Sequence, residues 1–260
     1  MITKKSAKEI EILREGGGRL AYILNEVVKK ITPGVSTQEL DDFAKNLAEA
    51  GGDKPAFLHY KPYGARRPYP ATLCVSINDE VVHGIPNEER RVIEDGDIVS
   101  LDMGLIHQSL FTDMALSVAV GEVDEAGKEL IGVTWRALYQ GIGAARSGAR
   151  VGDISHAIES FVRPFGYGIV EELSGHGVGF SVHEDPYVPN FGKSGTGEAL
   201  ESGMVLAIEP MINEGTKKVY VDRDGYTVRT ADGKRSAHFE HTVLITEGEP
   251  EVLTKLNSAV

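Results

Sequence analysis

Apolar positions along the chain follow two periods, one helical and one strand-like, and the alternation between them occurs twice. Ile10, Leu13, Leu20, Ile23, Leu24, Val27 and Ile31 recur at helical spacing behind Ser6-x-x-Glu9, a reciprocal capping signal, until Pro33-Gly34 interrupts them. A second such signal, Ser36-x-x-Glu39, opens a shorter stripe of Leu40, Phe43 and Leu47 that stops at Gly51-Gly52. Between residues 54 and 70 the breakers Pro55, Pro62, Gly64, Pro68 and Pro70 leave no period. Phe57, Tyr60, Tyr63 and Tyr69 mark this stretch as an aromatic-rich loop. Strand-like runs follow at 72–77, 97–105 and 110–120. Helical spacing returns over 125–146 through Leu130, Val133, Leu138 and Ile142. Asp153 is then expected to cap a helix carrying Ile154, Ile158 and Phe161 before Pro164. Runs at 168–173, 204–212, 219–221, 226–230 and 237–246 read as closing strands.

Two helices followed by strands, repeated after a break near residues 121–124, predict one α+β domain over residues 1–260 made of two similar halves, about 1–121 and 122–260. The junction of their inner surfaces is where a pocket belongs. Composition narrows the field. No apolar run approaches the roughly 18 residues of a membrane span, and the charged N-terminal segment lacks the apolar core of a signal peptide, so a soluble cytoplasmic protein is expected. The single cysteine, Cys74, excludes an internal disulfide and a multi-cysteine zinc module. A formal net charge of −12 argues against a nucleic-acid platform. The short basic groups Lys4-Lys5, Arg66-Arg67, Arg90-Arg91 and Lys217-Lys218 are read as solvated loops, with contact to a ribosome or other acidic surface as the alternative.

Candidate chemistry begins in the run from Asp97 through Asp102 to Asp113, which reads as a hairpin. With His107-Gln108 as the central turn residues, Asp102 lies directly opposite Asp113, and two facing carboxylates call for a proton or a cation between them. A three-residue loop would instead leave both facing water. His176 and His183 stand in a glycine-rich stretch where backbone can approach a ligand closely. His59, His107, His156, His238 and His241 have no such company and are read as structural. Glu209 and Glu240 interrupt apolar strands, so they either face solvent or bind something positive. No Gly-x-Ser-x-Gly elbow, phosphate loop, dinucleotide fingerprint or His-Glu-x-x-His is present.

Asp102, Asp113, His176, Glu209 and Glu240 together form an oxygen-rich donor set with one imidazole, suited to two divalent ions. In order, spacing and neighbours this set resembles the metal ligands of the type I methionine aminopeptidase family. The likeness runs from about Ile10 to Leu253 and includes the stretch from Ser76 to Pro86, Gly175-His-Gly-Val-Gly179, Ile208-Glu-Pro-Met211 and Phe239-Glu-His-Thr242.

The resemblance implies a pita-bread fold, two pseudo-symmetric halves with an antiparallel sheet flanked by helices. It also implies hydrolytic removal of N-terminal methionine from nascent polypeptides by a water shared between two ions: cobalt, manganese, iron or zinc. Asp113 and Glu240 would bridge the metals, Asp102 would bind one, and His176 with Glu209 would complete the other. Glu209 would shuttle a proton, and His83 and His183 would hold the substrate backbone. Phe57, Tyr60, Tyr63, Cys74, Val182, Met211 and Tyr226 would enclose the methionine side chain, aromatic and sulfur-bearing groups suiting a thioether. Val182 replaces an aromatic common in bacterial members, and the loop around Arg66 to Pro68 is longer than in many of them. A monomer is the default expectation. The rivals are a proline-specific peptidase of the same fold, which usually carries an additional N-terminal domain, and a non-catalytic binding protein on this scaffold.

Overall fold

Both capping signals close into helix starts. Ser6 accepts the Glu9 N–H while Glu9 accepts the Ser6 N–H at 2.7 Å, opening α1 (Ala7–Val28), and Ser36 and Glu39 repeat the arrangement at α2 (Thr37–Ala50). The computed structural model describes residues 2–89 and 91–255; Met1, Arg90 of the Arg90-Arg91 group, and residues 256–260 lie outside the described residues. After α2 come β1 (Lys54–Pro55), β2 (Cys74–Ile77), β3 (Glu80–Val82), β4 (Ile98–His107) and β5 (Leu110–Ala119). The second half opens with α3 (Glu125–Ala144) and α4 (Val151–Val162). It continues through β6 (Gly168–Ile169), β7 (Gly175–Gly177), β8 (Glu184–Val188), β9 (Val205–Ile208), β10 (Met211–Asn213), β11 (Val219–Val221), β12 (Val228–Thr230), β13 (Ser236–His238), β14 (Glu240–Leu244) and β15 (Glu251–Val252). Asp153 does not cap α4 as expected. It sits one turn in and accepts the Arg150 N–H at 2.8 Å, so the helix starts earlier.

The main sheet runs β1-β4-β5-β14-β9-β7-β8, with β2 on β4 and β15 on β14. β5 and β14 form the seam between the halves. Each half packs helices on the same side of this sheet over its own apolar cluster. Leu20, Leu24, Leu40, Leu101, Met103 and Leu105 belong to the first, and Leu130, Leu138, Ile154, Ile158, Leu206 and Ile208 to the second. On β4 and β9 the core takes alternate residues, 101, 103 and 105 or 206 and 208, which turns residues 102, 104, 207 and 209 to the other face.

Two expected strands are each broken. The run at 204–212 divides into β9 and β10 around Glu209-Pro210, and that at 237–246 into β13 and β14 at Phe239. Pro210 has no N–H to give a ladder, and the chain leaves one sheet for another there. β9 pairs with β14 in the main sheet, whereas β10 pairs with β13 in a separate three-stranded sheet. Ile208↔His241 before the bend and Met211↔His238 after it keep one register, so Glu209 and Glu240 face each other at the bend itself.

Close packing of α1 against the C-terminal segment yields a stability prediction. A Cβ on Gly17 would lie 2.5 Å from the Leu253 carbonyl oxygen, whereas one on Gly132 of α3 meets nothing within 4 Å. Gly17→Ala is expected to cost about 1–3 kcal/mol, and Gly132→Ala to add about 0.5–1 kcal/mol, both read from urea denaturation.

Candidate metal centre

The site is laid out by sheet register. Gln108 and Ser109, with φ of 46° and 71°, form the turn between β4 and β5, and His107 pairs with Leu110. This moves the turn one residue beyond the expected His107-Gln108 and overturns the direct opposition of the two aspartates. Asp102 faces Ala115, and Gly104 faces Asp113. A one-residue shift of the turn centre changes each partner by two, so the aspartates become diagonal neighbours yet stay on one face.

Continued across the strands, the register gives two rows on that face. Cys74, Asp102, Ala115 and Glu240 are successive partners, and the bend brings Glu209 beside Glu240. In the second row Gly104 faces Asp113. Thr242, which donates its hydroxyl to the Asp113 carbonyl at 2.7 Å and accepts the Asp113 N–H at 2.8 Å, faces Ala207, which in turn faces His176. The residues between the ligating types are Gly, Ala and Thr, small enough to leave the acidic side chains in mutual contact. Asp113, His176 and Glu240 bring donor atoms within 4.8 Å of one another, and all are buried. His176 Nε2 lies 3.4 Å from Glu209 Oε1.

A cation fits this set. Among the described residues no Lys or Arg forms an ion pair with these four carboxylates, and Asp102 Oδ1 and Glu240 Oε1 are buried with no hydrogen-bond partner. Burial pushes the Asp102 carboxyl up to about 7 and that of Glu209 to about 8. Burial, then repulsion from neighbouring carboxylates, holds Asp113 and Glu240 well above the usual range. Desolvation lowers His176 to about 3, so its imidazole is neutral at pH 7. Nδ1 donates to the Gly177 carbonyl at 2.9 Å, which leaves the Nε2 lone pair for a metal.

Beside the carboxylates is a cleft of about 170 Å³ walled by Phe57, Tyr60, Pro62, Tyr69, Cys74 and Tyr226, with His83 and His183 on its lining. His83 has φ of 60° and burial lowers it to about 4; His183 packs against His176 at 4.4 Å between ring centroids, and its Nδ1 hydrogen-bonds Tyr60 Oη at 2.9 Å. Val182 packs in the apolar cluster behind this wall with Phe57, Cys74 and Ile85. Two residues expected around the cleft stand elsewhere. Tyr63 is fully exposed, because the loop tip carries it outward, and Met211 lies beyond the Glu209-Pro210 bend among Val81, Val82, Val170 and Val228. His238, read from sequence as structural, is buried with Nε2 3.5 Å from Glu209 Oε2, and neither ring nitrogen has a hydrogen-bond partner. Its position two residues before Glu240 is the sequence signal that would have found it.

Comparison with known proteins points the same way. Residues 11–247 match metallopeptidase family M24. Methionine aminopeptidase of Aquifex aeolicus (strain VF5) is 45% identical over 255 residues, covering 96% of this chain and 98% of that protein. Methionine aminopeptidase 1 of Bacillus subtilis (strain 168) is 42% identical, covering 98% and 100%. The crystal structure of methionine aminopeptidase from Thermotoga maritima superposes with a TM-score of 0.92 at 46% identity over 98% of this chain and 100% of that one. Prolidase from Pyrococcus furiosus gives 0.77 at 25% identity, covering 98% of this chain and 66% of its own. The fold is therefore the pita-bread arrangement expected from sequence.

The shifted carboxyls set a pH dependence. Only above about pH 7.5 are the lowered histidines neutral in both folded and unfolded chains, because the unfolded imidazoles titrate at about 6.5. From there to about pH 8.5 the metal-free folded chain keeps protons on Glu209, Asp113 and Glu240 that the unfolded chain has already released. The unfolded state then binds fewer protons, so stability falls as pH rises through this window. A cation binding the ionised carboxylates relieves that loss. Scanning calorimetry of protein stripped of metal and reloaded with manganese should show a larger rise in Tm at pH 8.5 than at pH 7.5; equal rises would contradict the account.

Proposed function

The chain belongs to metallopeptidase family M24, and from that premise we propose that it is a two-metal aminopeptidase removing N-terminal methionine from peptides and nascent proteins. The observation that carries this reading is the joining of two things: a buried cluster of four carboxylates and a neutral imidazole, and a narrow cleft walled by aromatic rings and a thiol. Asp102, Asp113, His176, Glu209 and Glu240 would hold two divalent cations, with Asp113 and Glu240 as the bridging carboxylates. Cobalt, manganese, iron and zinc all suit such donors. Bound there, the cations supply a water of lowered pKa and a polarised scissile carbonyl.

The side chains divide the remaining work. Glu209, at the bend between β9 and β10 on the lining of the cleft, would take a proton from the attacking water and return it to the departing amine. His83 and His183 are uncharged at neutral pH, so each can offer the substrate backbone a ring nitrogen as donor or acceptor, Nε2 in the case of His183. Tyr60 fixes the orientation of His183 through Nδ1. The cleft has room for one side chain of methionine size, and Phe57, Tyr60, Cys74 and Tyr226 offer polarisable surface to a thioether. Among the described residues no helix is long and apolar enough to cross a membrane. We propose that it acts in the cytoplasm, as a monomer, on chains leaving the ribosome.

The decisive test pairs two substrates. Protein stripped and reloaded with cobalt or manganese is expected to release methionine from Met-Ala-Ser and to leave a matched Xaa-Pro peptide intact; the reverse result would move the chain to the prolidase side of the family. Glu209→Ala and His176→Ala should each reduce turnover to background, and His83→Ala should lower kcat/KM by on the order of 10²-fold.

A further inference from the structure

Beside the cleft lies an open groove of about 390 Å³, bounded by Thr3, Phe180, Ser181, Asp185 and Tyr187. His183 lines both, so the two adjoin at that residue. Two large aromatic residues face solvent on the groove, Phe180 at 43% and Tyr187 at 72% exposure. Tyr187 belongs to β8, the edge strand of the main sheet, and pairs across the ladder with His176.

The groove is held by a buried ion pair. Lys5 Nζ lies 2.8 Å from Glu184 Oε2, with side chains 0% and 7% exposed. Thr3 donates to the same oxygen at 2.6 Å, while the other accepts the backbone N–H groups of Ser181, at 3.0 Å, and Phe180. Lys5 is in turn fixed by its own N–H on the Gly203 carbonyl at 2.8 Å. A Cβ on Gly179 would fall 2.3 Å from Lys5 Cε, so the loop from Gly179 to His183 lies directly on the lysine stem. Charged groups tied down in this way make a groove that exists before any ligand arrives.

We propose that this groove binds the third and following residues of the peptide substrate as an extended chain, held against the faces of Phe180 and Tyr187. The proposal rests on the aminopeptidase reading above. A cleft of about 170 Å³ takes the terminal side chain; the scissile bond then lies by His183, and the rest of the peptide continues into the space that begins on that residue's other contacts. Aromatic faces grip aliphatic, aromatic and backbone groups alike, which suits an enzyme whose substrates differ downstream. Substrates of four or more residues with apolar third to fifth positions are the class that gains most.

The test compares Met-Ala-Ser with Met-Ala-Ser-Leu-Phe-Gly on the metal-loaded enzyme and on Phe180→Ala/Tyr187→Ala. The wild type should show kcat/KM roughly tenfold higher on the longer peptide, carried by KM, and the double variant should bring that ratio close to one. Tyr187→Ala alone, which leaves in place Lys5 Nζ over the Phe180 ring at 4.9 Å from its centroid, should reduce the ratio partway, and metal content and Tm should stay at wild-type values. A wild-type ratio near one, or an undiminished ratio in the double variant, overturns the groove while leaving the aminopeptidase reading in place. Release of methionine from neither peptide by the wild type overturns both.

Discussion

Four carboxylates brought together on one face of a sheet, without a lysine or arginine among the described residues to pair with them, dominate the physics of this protein. Water would solvate such groups easily, but here the sheet, the aromatic loop and the glycine-rich segment remove them from it. The folded chain then either retains protons on several of them or accepts positive charge. Much of the architecture is the means of enforcing that choice. Strand alternation turns the acidic residues away from the helices, small residues between them permit mutual approach, and the bend at Glu209-Pro210 and Phe239 places two glutamates opposite each other.

The same arrangement explains why the two halves differ in what they give. The first half supplies aspartates from a long regular hairpin, where ten residues a strand hold the register tightly. The second supplies a histidine and two glutamates from short strands that are bent or bulged, with a register irregularity between His176 and Gly177. Regular pairing fixes one wall, and irregular backbone shapes the other around a ligand. His83 and His183 come from turns and loops carried on this frame, the common place for groups that touch a substrate.

Much of this was legible in the sequence. Both capping boxes gave helix starts to the residue, and the acidic and imidazole residues singled out at the centre are brought to one cleft. What escaped detection escaped for identifiable reasons. Turn position within a hairpin is decided by which residues accept positive φ, and neither Gln108 nor Ser109 announces that as glycine or asparagine would. Its parity survived because a shift of one at the turn moves partners by two. Met211 was placed at the cavity by the family resemblance, yet the proline between it and Glu209 sends it into another sheet. Tyr63 shares an aromatic loop with Phe57 and Tyr60, but composition cannot tell the wall of a loop from its tip. His238 was passed over because it was weighed as a lone histidine, although it stands two residues before Glu240 and its neighbours in space are Glu209 and Asp102.

The seam between β5 and β14 has a consequence for the order in which the protein comes into being. The donors are spread over residues 102, 113, 176, 209 and 240, and the last lies on a strand that must insert between two others already made. A chain still being synthesised has every helix and most of its sheet before it has a complete donor set. The donor set is thus complete only once the strand carrying Glu240 has inserted between β5 and β9, so the centre is among the last features of the fold to form.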